Sequence, residues 1–242
     1  MTSLDALLAK RNARRINRCG DHELARKRLD HSRFLAKHYV AYDALRPHLT
    51  NPHDHPRVER PQRAREAIDY LRDLGWITSE GTNVWRTSEQ QDVAKYLAGG
   101  WLEELVYCAH LEAGVDEAYF AQDIEWRVGD VTGKNEIDVI ARRGNILSFT
   151  SCKTMRPYRR GDIQVDHLSA FLTETDYWNI HFADDQGRAL LVVTADILDE
   201  MHHNRSRYPL LLARATILEV SLAGLEMMPW RTLIGTIEKH WG

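Results

Sequence analysis

The sequence predicts an α/β (α+β) protein, with a mixed central sheet flanked by helices and a largely helical N-terminal region ahead of it. Three observations carry that prediction. The first fifty residues are rich in Arg, Lys, Leu and Ala, the mark of helices. After Gly114 the pattern changes to strands, two of them joined by a tight turn at Arg143-Gly144-Asn145. Residues 188–194 (RALLVVT) form an apolar run suited to a strand buried on both faces.

In order, residues 4–18 and 22–46 read as helices. Residues 50–61 (TNPHDHPRVERP) are broken by prolines and read as a loop. His53, Asp54 and His55 lie there, better explained as a polar loop than as a metal site. Residues 62–74 repeat apolar positions at helical spacing (Ala64, Ala67, Ile68, Leu71, Leu74), and Gly75 is placed to end that helix. Strands follow at 76–78 and 84–87, across a turn at 79–83. Residues 89–112 read as helical with an interruption at Gly99-Gly100. Strands are expected at 123–131, 136–142 and 146–154, a helix at 163–173, and a strand at 188–194. Helices at 196–205 and 210–215, a strand at 216–222 and a helix at 223–240 close the chain. The natural division is 1–98, a basic helical region, and 99–242, the sheet domain.

Composition narrows the function classes. The 242 residues carry a net charge of −3, which excludes a uniformly basic nucleic-acid coat. Residues 1–50 hold eleven Lys and Arg against five Asp and Glu, a charge of +6, and the rest carries −9. A basic arm on an acidic body is a reasonable footprint for phosphate contact, and equally a self-paired helical surface. Cys19, Cys108 and Cys152 are odd in number and far apart, so neither a disulfide framework nor a zinc finger is supported. No run approaches a membrane span and the first fifteen residues lack an apolar signal core, so a cytoplasmic protein is expected.

The chemistry concentrates in 135–154. Strand alternation places Glu136 and Asp138 on one face of the second strand, and Ser151 and Lys153 on one face of the third. The turn at 143–145 makes the strands antiparallel neighbours, so Asp138, Ser151 and Lys153 converge if the polar faces coincide. A carboxylate facing a lysine on adjacent strands is the core requirement of metal-dependent phosphodiester hydrolysis. The carboxylate holds Mg²⁺ or Mn²⁺, and the lysine orients water or meets charge developing on phosphate. A buried structural ion pair is the simpler reading of Asp138 and Lys153 alone.

Helix, strand, tight turn and strand over LRDLGWIT…VWRTS resemble a winged helix-turn-helix module. The stretches GGWLEELVY, NEIDVIA and SCKT, in that order, resemble the PD-(D/E)xK nuclease superfamily. More narrowly, they are similar to the nuclease domain of CRISPR ancillary nucleases that carry a cyclic-oligoadenylate-sensing (CARF) domain. The resemblance covers about residues 60–222. It implies a restriction-endonuclease-like fold, a homodimer, and defence against foreign nucleic acid. Two departures stand out. Ser151 occupies the place of the usual acidic residue, and no sensor-like βαβ pattern precedes residue 60, so cyclic-nucleotide activation is not expected.

Glu136 and a glutamate of the helix at 101–112 are candidates to compensate for Ser151. A helical wheel favours Glu103, nearer the Leu102, Leu105, Val106 and Ala109 stripe, over Glu104, which it turns to solvent. The expected metal ligands are therefore Asp138, Glu136 and Glu103, with Lys153, Ser151, Asp138 and Glu103 as the catalytic set. Arg156, Arg159, Arg160 and Gln164 are candidates to grip nucleic acid, DNA or RNA. Cys152, His110 and His167 read as structural. Two other readings compete. One is a nuclease fold that lost catalysis at Ser151 and binds nucleic acid; the other is a winged-helix DNA-binding regulator that uses Arg63 and Arg65. A partner protein or activating ligand is left open.

Overall fold

The computed structural model describes residues 2–16, 19–90, 92–157, 162–183, 186–199 and 205–242, with the backbone alone at 162–164. The first part of the chain forms α1 (Leu4–Ala9), β1 (Ala13–Arg15), α2 (His22–Lys27), α3 (Leu29–Lys37), α4 (Tyr39–Asp43) and α5 (Arg46–Thr50). Next come α6 (Pro61–Asp73), β2 (Ile77–Gly81), β3 (Val84–Thr87) and α7 (Val93–Lys95). A π-helical turn (Tyr96–Gly100) leads into α8 (Trp101–Glu112), β4 (Glu117–Val128), β5 (Val131–Arg143) and β6 (Ile146–Lys153). The chain ends with α9 (Asp162–Phe182), β7 (Arg188–Val193), β8 (Leu198–Asp199), β9 (Arg205–Ser206), α10 (Pro209–Ile217), β10 (Val220–Ala223) and α11 (Trp230–Trp241).

By contacts the chain divides into residues 1–29 with 103–242, and residues 30–102. The first 29 residues therefore fold with the sheet and not with the helical region to which the 98/99 division assigns them. The helix expected over 4–18 stops at Ala9, and Asn12 takes a positive φ of 53°. Residues 13–15 then pair antiparallel with β4, Ala13 opposite Trp126 and Arg15 opposite Ile124. Leu4, Leu7 and Leu8 of α1 join Ile140, Phe149 and Trp178 in one buried cluster. The single helix expected over 22–46 is a series of short ones; at His38, between α3 and α4, φ and ψ are −108° and 29°.

The smaller unit keeps the helix, strand, turn, strand order read from the sequence. Ala64, Ala67, Ile68 and Leu71 of α6 are buried, and Gly75, at φ +69°, ends the helix. Ile77 pairs with Thr87 across the hairpin. His48 pins the second strand: its Nε2 accepts the Trp85 amide at 2.9 Å while Nδ1 donates to the His55 carbonyl at 2.6 Å. Tyr70 stacks on Phe34 with ring centroids 3.6 Å apart, and Tyr39 and Tyr42 pack on Trp101. The expected interruption at Gly99-Gly100 is the π turn, where Gly99 leaves the helical region.

In the larger unit the described residues form a six-stranded sheet in the order β1-β4-β5-β6-β7-β10. Pairing is antiparallel from β1 to β6 and parallel from β6 to β10. Parallel neighbours need crossovers, and α9 and α10 supply them. The helix at 163–173 runs on to Phe182, because Trp178 and Phe182 bury against Trp126. Leu168 and Leu172 pack with Leu191, Val193 and Leu211. Where a helix is expected over 196–205, Leu198 and Asp199 instead pair with Ser206 and Arg205. Arg207 ties that segment open: its guanidinium meets Asp196 at 3.1 Å and Asp199 at 3.4 Å, and its Nε donates to the Leu198 carbonyl. Among the described residues no helix is long and apolar enough to cross a membrane.

Candidate active site

β5 and β6 stay paired only as far as Val139 opposite Thr150. One step further, Asp138 would face Ser151, but the ladder has stopped. β6 continues along β7, with Ser151 opposite Leu191 and Lys153 opposite Val193. The Asp138 carboxylate spans the gap. Its Oδ2 accepts the Cys152 amide at 2.7 Å and the Lys153 ammonium at 3.3 Å. A cleft opens beside this junction, lined by Glu136, Asp138, Ser151, Lys153, Glu174 and Trp178 among others. It lies at the carboxyl end of β6, the strand at which the sheet changes from antiparallel to parallel.

Ser151 and Lys153 project to the sheet face that α9 covers, as do Leu191 and Val193 opposite them on β7, which pack on Leu168 and Leu172. The Phe171 ring of α9 lies under the Lys153 ammonium, 5.6 Å from nitrogen to centroid. Glu174 and Trp178 follow Phe171 at three and seven residues, one stripe of the helix. Burial alone would lower the Lys153 pKa. The charges of Asp138 and Glu174 and the hydrogen bond to Asp138 outweigh it, and the pKa is raised. Lys153 is thus an ammonium at neutral pH, a hydrogen-bond donor and positive charge, not a base.

Four of the residues expected from sequence converge in the cleft: Asp138, Lys153, Ser151 and Glu136. Glu103 is not among the lining residues; its charge acts on the Cys152 thiol, on the opposite face of β6 from Ser151 and Lys153. Glu104, expected in solvent, is 4% exposed and ion-paired with Arg28, so the wheel placed it on the wrong side. α8 packs on both sides, and a single apolar stripe does not describe it. Burial pushes the Cys152 thiol well above its usual range, as expected of a packed core thiol. His110 is fully buried and its pKa is lowered by that burial to about 3. It bonds Thr150 at 3.2 Å and accepts the Trp241 indole N–H at 3.3 Å, a structural role. His167 is exposed and not in the lining. Arg156 is exposed just beyond β6. Arg159 and Arg160 lie outside the described residues, as does the side chain of Gln164 near the start of α9.

Glu174 and Trp178 are what the sequence analysis missed. Both lie beyond 173, where the helix was expected to end. The signal was the spacing Phe171, Glu174, Trp178, legible only if the helix is carried another two turns.

The donors here are carboxylate and hydroxyl oxygens, the set that suits Mg²⁺ or Mn²⁺. Among the described residues no three His, Cys, Asp or Glu side chains form a metal cage. Mg²⁺ does not require one. It is commonly held by one or two carboxylates and completes its shell with water and substrate phosphate. The chemistry of the cleft fits such a cation.

Residues 90–174 match the family model of the Card1-like endonuclease domain, which bears out the nuclease-domain resemblance over that stretch. No curated protein matches the chain. Among solved structures, the chain is similar to protein VC1899 from Vibrio cholerae, at TM-score 0.72 and 17% identity over 97% of this chain and 60% of that one. It is also similar to Can2 from Sulfobacillus thermosulfidooxidans, solved in complex with cyclic tetra-adenylate, at TM-score 0.58 and 14% identity over 98% of this chain and 60% of that one. The chain thus spans about 60% of the length of these two structures, and at such identities the likeness is one of fold. That fold is the mixed, helix-flanked sheet expected from sequence.

Proposed function

We propose that the chain is a Mg²⁺- or Mn²⁺-dependent nuclease that hydrolyses phosphodiester bonds in DNA or RNA. One observation carries this: the Asp138–Lys153 pair, at 3.3 Å, lines a cleft where β5 and β6 part, inside a segment matching a Card1-like endonuclease domain. Asp138 and Glu136 would hold the cation. Bound there, it would polarise a phosphoryl oxygen and make a coordinated water more acidic. Asp138 also fixes the Lys153 ammonium, which donates to the attacking water or to a phosphate oxygen. Ser151, also in the lining, would offer a hydroxyl to either. Arg156, with Arg159, Arg160 and Gln164, would hold the flanking phosphates. A homodimer working in the cytoplasm on foreign nucleic acid, as part of CRISPR-linked defence, follows by analogy with the matched family.

Ser151 gives a second reading its footing. It supplies no charge, so the fold is also suited to nucleic-acid binding without cleavage. The decisive experiment is a cleavage assay on supercoiled plasmid, single-stranded DNA and RNA, with Mn²⁺, Mg²⁺ or EDTA, beside Lys153→Ala. Metal-dependent cutting that the variant loses supports the nuclease. Cutting by Lys153→Ala at the wild-type rate removes the active-site assignment. Tight binding with no cutting of any substrate favours the binding module. If binding is to duplex, is metal-independent and weakens when Arg63 or Arg65 is neutralised, the regulator reading takes over.

A further inference from the structure

The cleft holds a carboxylate that the Asp138, Glu136 and Glu103 set leaves out. Ser151, 7% exposed, sits beside Lys153 with a neutral hydroxyl where a second negative charge is wanted. On the strand side a divalent cation would meet Asp138 and Glu136, and the ammonium beside them offsets part of their charge. Glu136 stands on the same strand as Asp138, two residues away, and approaches from the same side of the cleft. Glu103 acts on Cys152, on the other face of β6. Glu174 comes from the helix that roofs the cleft. It shares a stripe with Phe171, which touches the Lys153 ammonium, and with Trp178, which lines the same wall. Its side chain is exposed at the cleft, where its charge already acts on the Lys153 ammonium.

We propose that Glu174 of α9 supplies the carboxylate that Ser151 does not, completing with Asp138 the cation site of the cleft. This rests on the metal-dependent reading above. The acidic position has moved from the strand to the covering helix, and Lys153 feels the charge of both carboxylates. The cleft then has negative groups on both walls, one from β5 and one from α9. A cation between them would draw Glu174 down and tie α9 to the strand pair.

The test reads metal binding directly, without substrate. Mn²⁺ is titrated into the full chain, following free Mn²⁺ by electron paramagnetic resonance, for wild type, Asp138→Asn, Glu174→Gln, Ser151→Glu and Ser151→Glu/Glu174→Gln. Asp138→Asn and Glu174→Gln should each weaken Mn²⁺ binding by at least about tenfold, the scale on which loss of even an outer partner weakens a metal site. The double variant should bind much as wild type does, because the charge returns on the neighbouring strand. That recovery separates a ligand from a group that merely supports the helix. Wild-type affinity in Glu174→Gln, with binding lost in Asp138→Asn, would overturn this inference and leave the metal-dependent reading standing. A double variant no better than Glu174→Gln would also overturn it. Wild-type protein that takes up no Mn²⁺ at millimolar concentration would remove both.

Discussion

At the residue scale, Asp138 does two things with one oxygen. Its Oδ2 accepts a backbone amide where the ladder ends and holds the ammonium of the proposed water-orienting lysine. Asp138→Asn keeps an acceptor for the Cys152 amide and loses the charge. It should therefore keep the fold while cutting by at least about a hundredfold less, the scale of losing one preorganised electrostatic partner; kcat/KM and a thermal melt report the two effects separately. Glu104 makes the opposite case. It is buried against Arg28, so Glu104→Ala removes the carboxylate from a buried ion pair and should destabilise the protein by about 3 kcal/mol in urea unfolding. Neighbouring glutamates thus have unlike roles, and the helical wheel that ranked them saw one buried stripe where α8 has more. The Asp138, Ser151, Lys153 convergence was legible because period-two alternation is rigid. Glu104 was not, because a charge buried by pairing leaves no trace in hydrophobic patterning.

At the element scale, one residue pair of the β4–β5 hairpin bears directly on α9. Gly133 lies opposite Trp126, and a Cβ there would come 2.4 Å from the indole. Trp126 in turn packs edge-on against Trp178 and Phe182 of α9. Gly133→Val must push the indole off that contact. A loss of about 1–3 kcal/mol is expected, measured by urea denaturation. Strands β5 to β7 and helix α6 were readable from alternation, apolar runs and the capping Gly75, whereas the strand expected at 123–131 is β4, Glu117–Val128, which starts earlier and stops at the turn. The ends of α9 and the pair β8–β9 were not, because both are decided by distant partners. Trp178 continues the helix for the sake of Trp126, and Arg207 holds 198–199 extended through Asp196 and Asp199.

At the scale of the whole molecule, two buried histidines set the acid limit. His110 and His240 are neutral, with burial lowering their pKa values to about 3 and about 4. An unfolded histidine titrates near 6.5. Below that pH the unfolded chain binds protons that the folded chain refuses, so the histidine contribution to stability falls as pH drops from about 6.5 towards 4 and is constant above 7. Each histidine should contribute roughly 1.4 kcal/mol per pH unit within that window. Chemical denaturation at pH 7.5, 6 and 5 checks this. His240→Gln, which can still bond Ser148, should have about half the slope. The division of the chain also bears on how the protein may be handled. β1 is three residues long, carries Arg14 and Arg15, and lies at the margin of the sheet, where Arg14 meets Glu125 and Arg15 meets Asp5. It is a gatekeeper: a short, charged strip over the twelve-residue β4. Trimming the first twenty residues would bare a long strand with open backbone groups, an invitation to edge-to-edge aggregation.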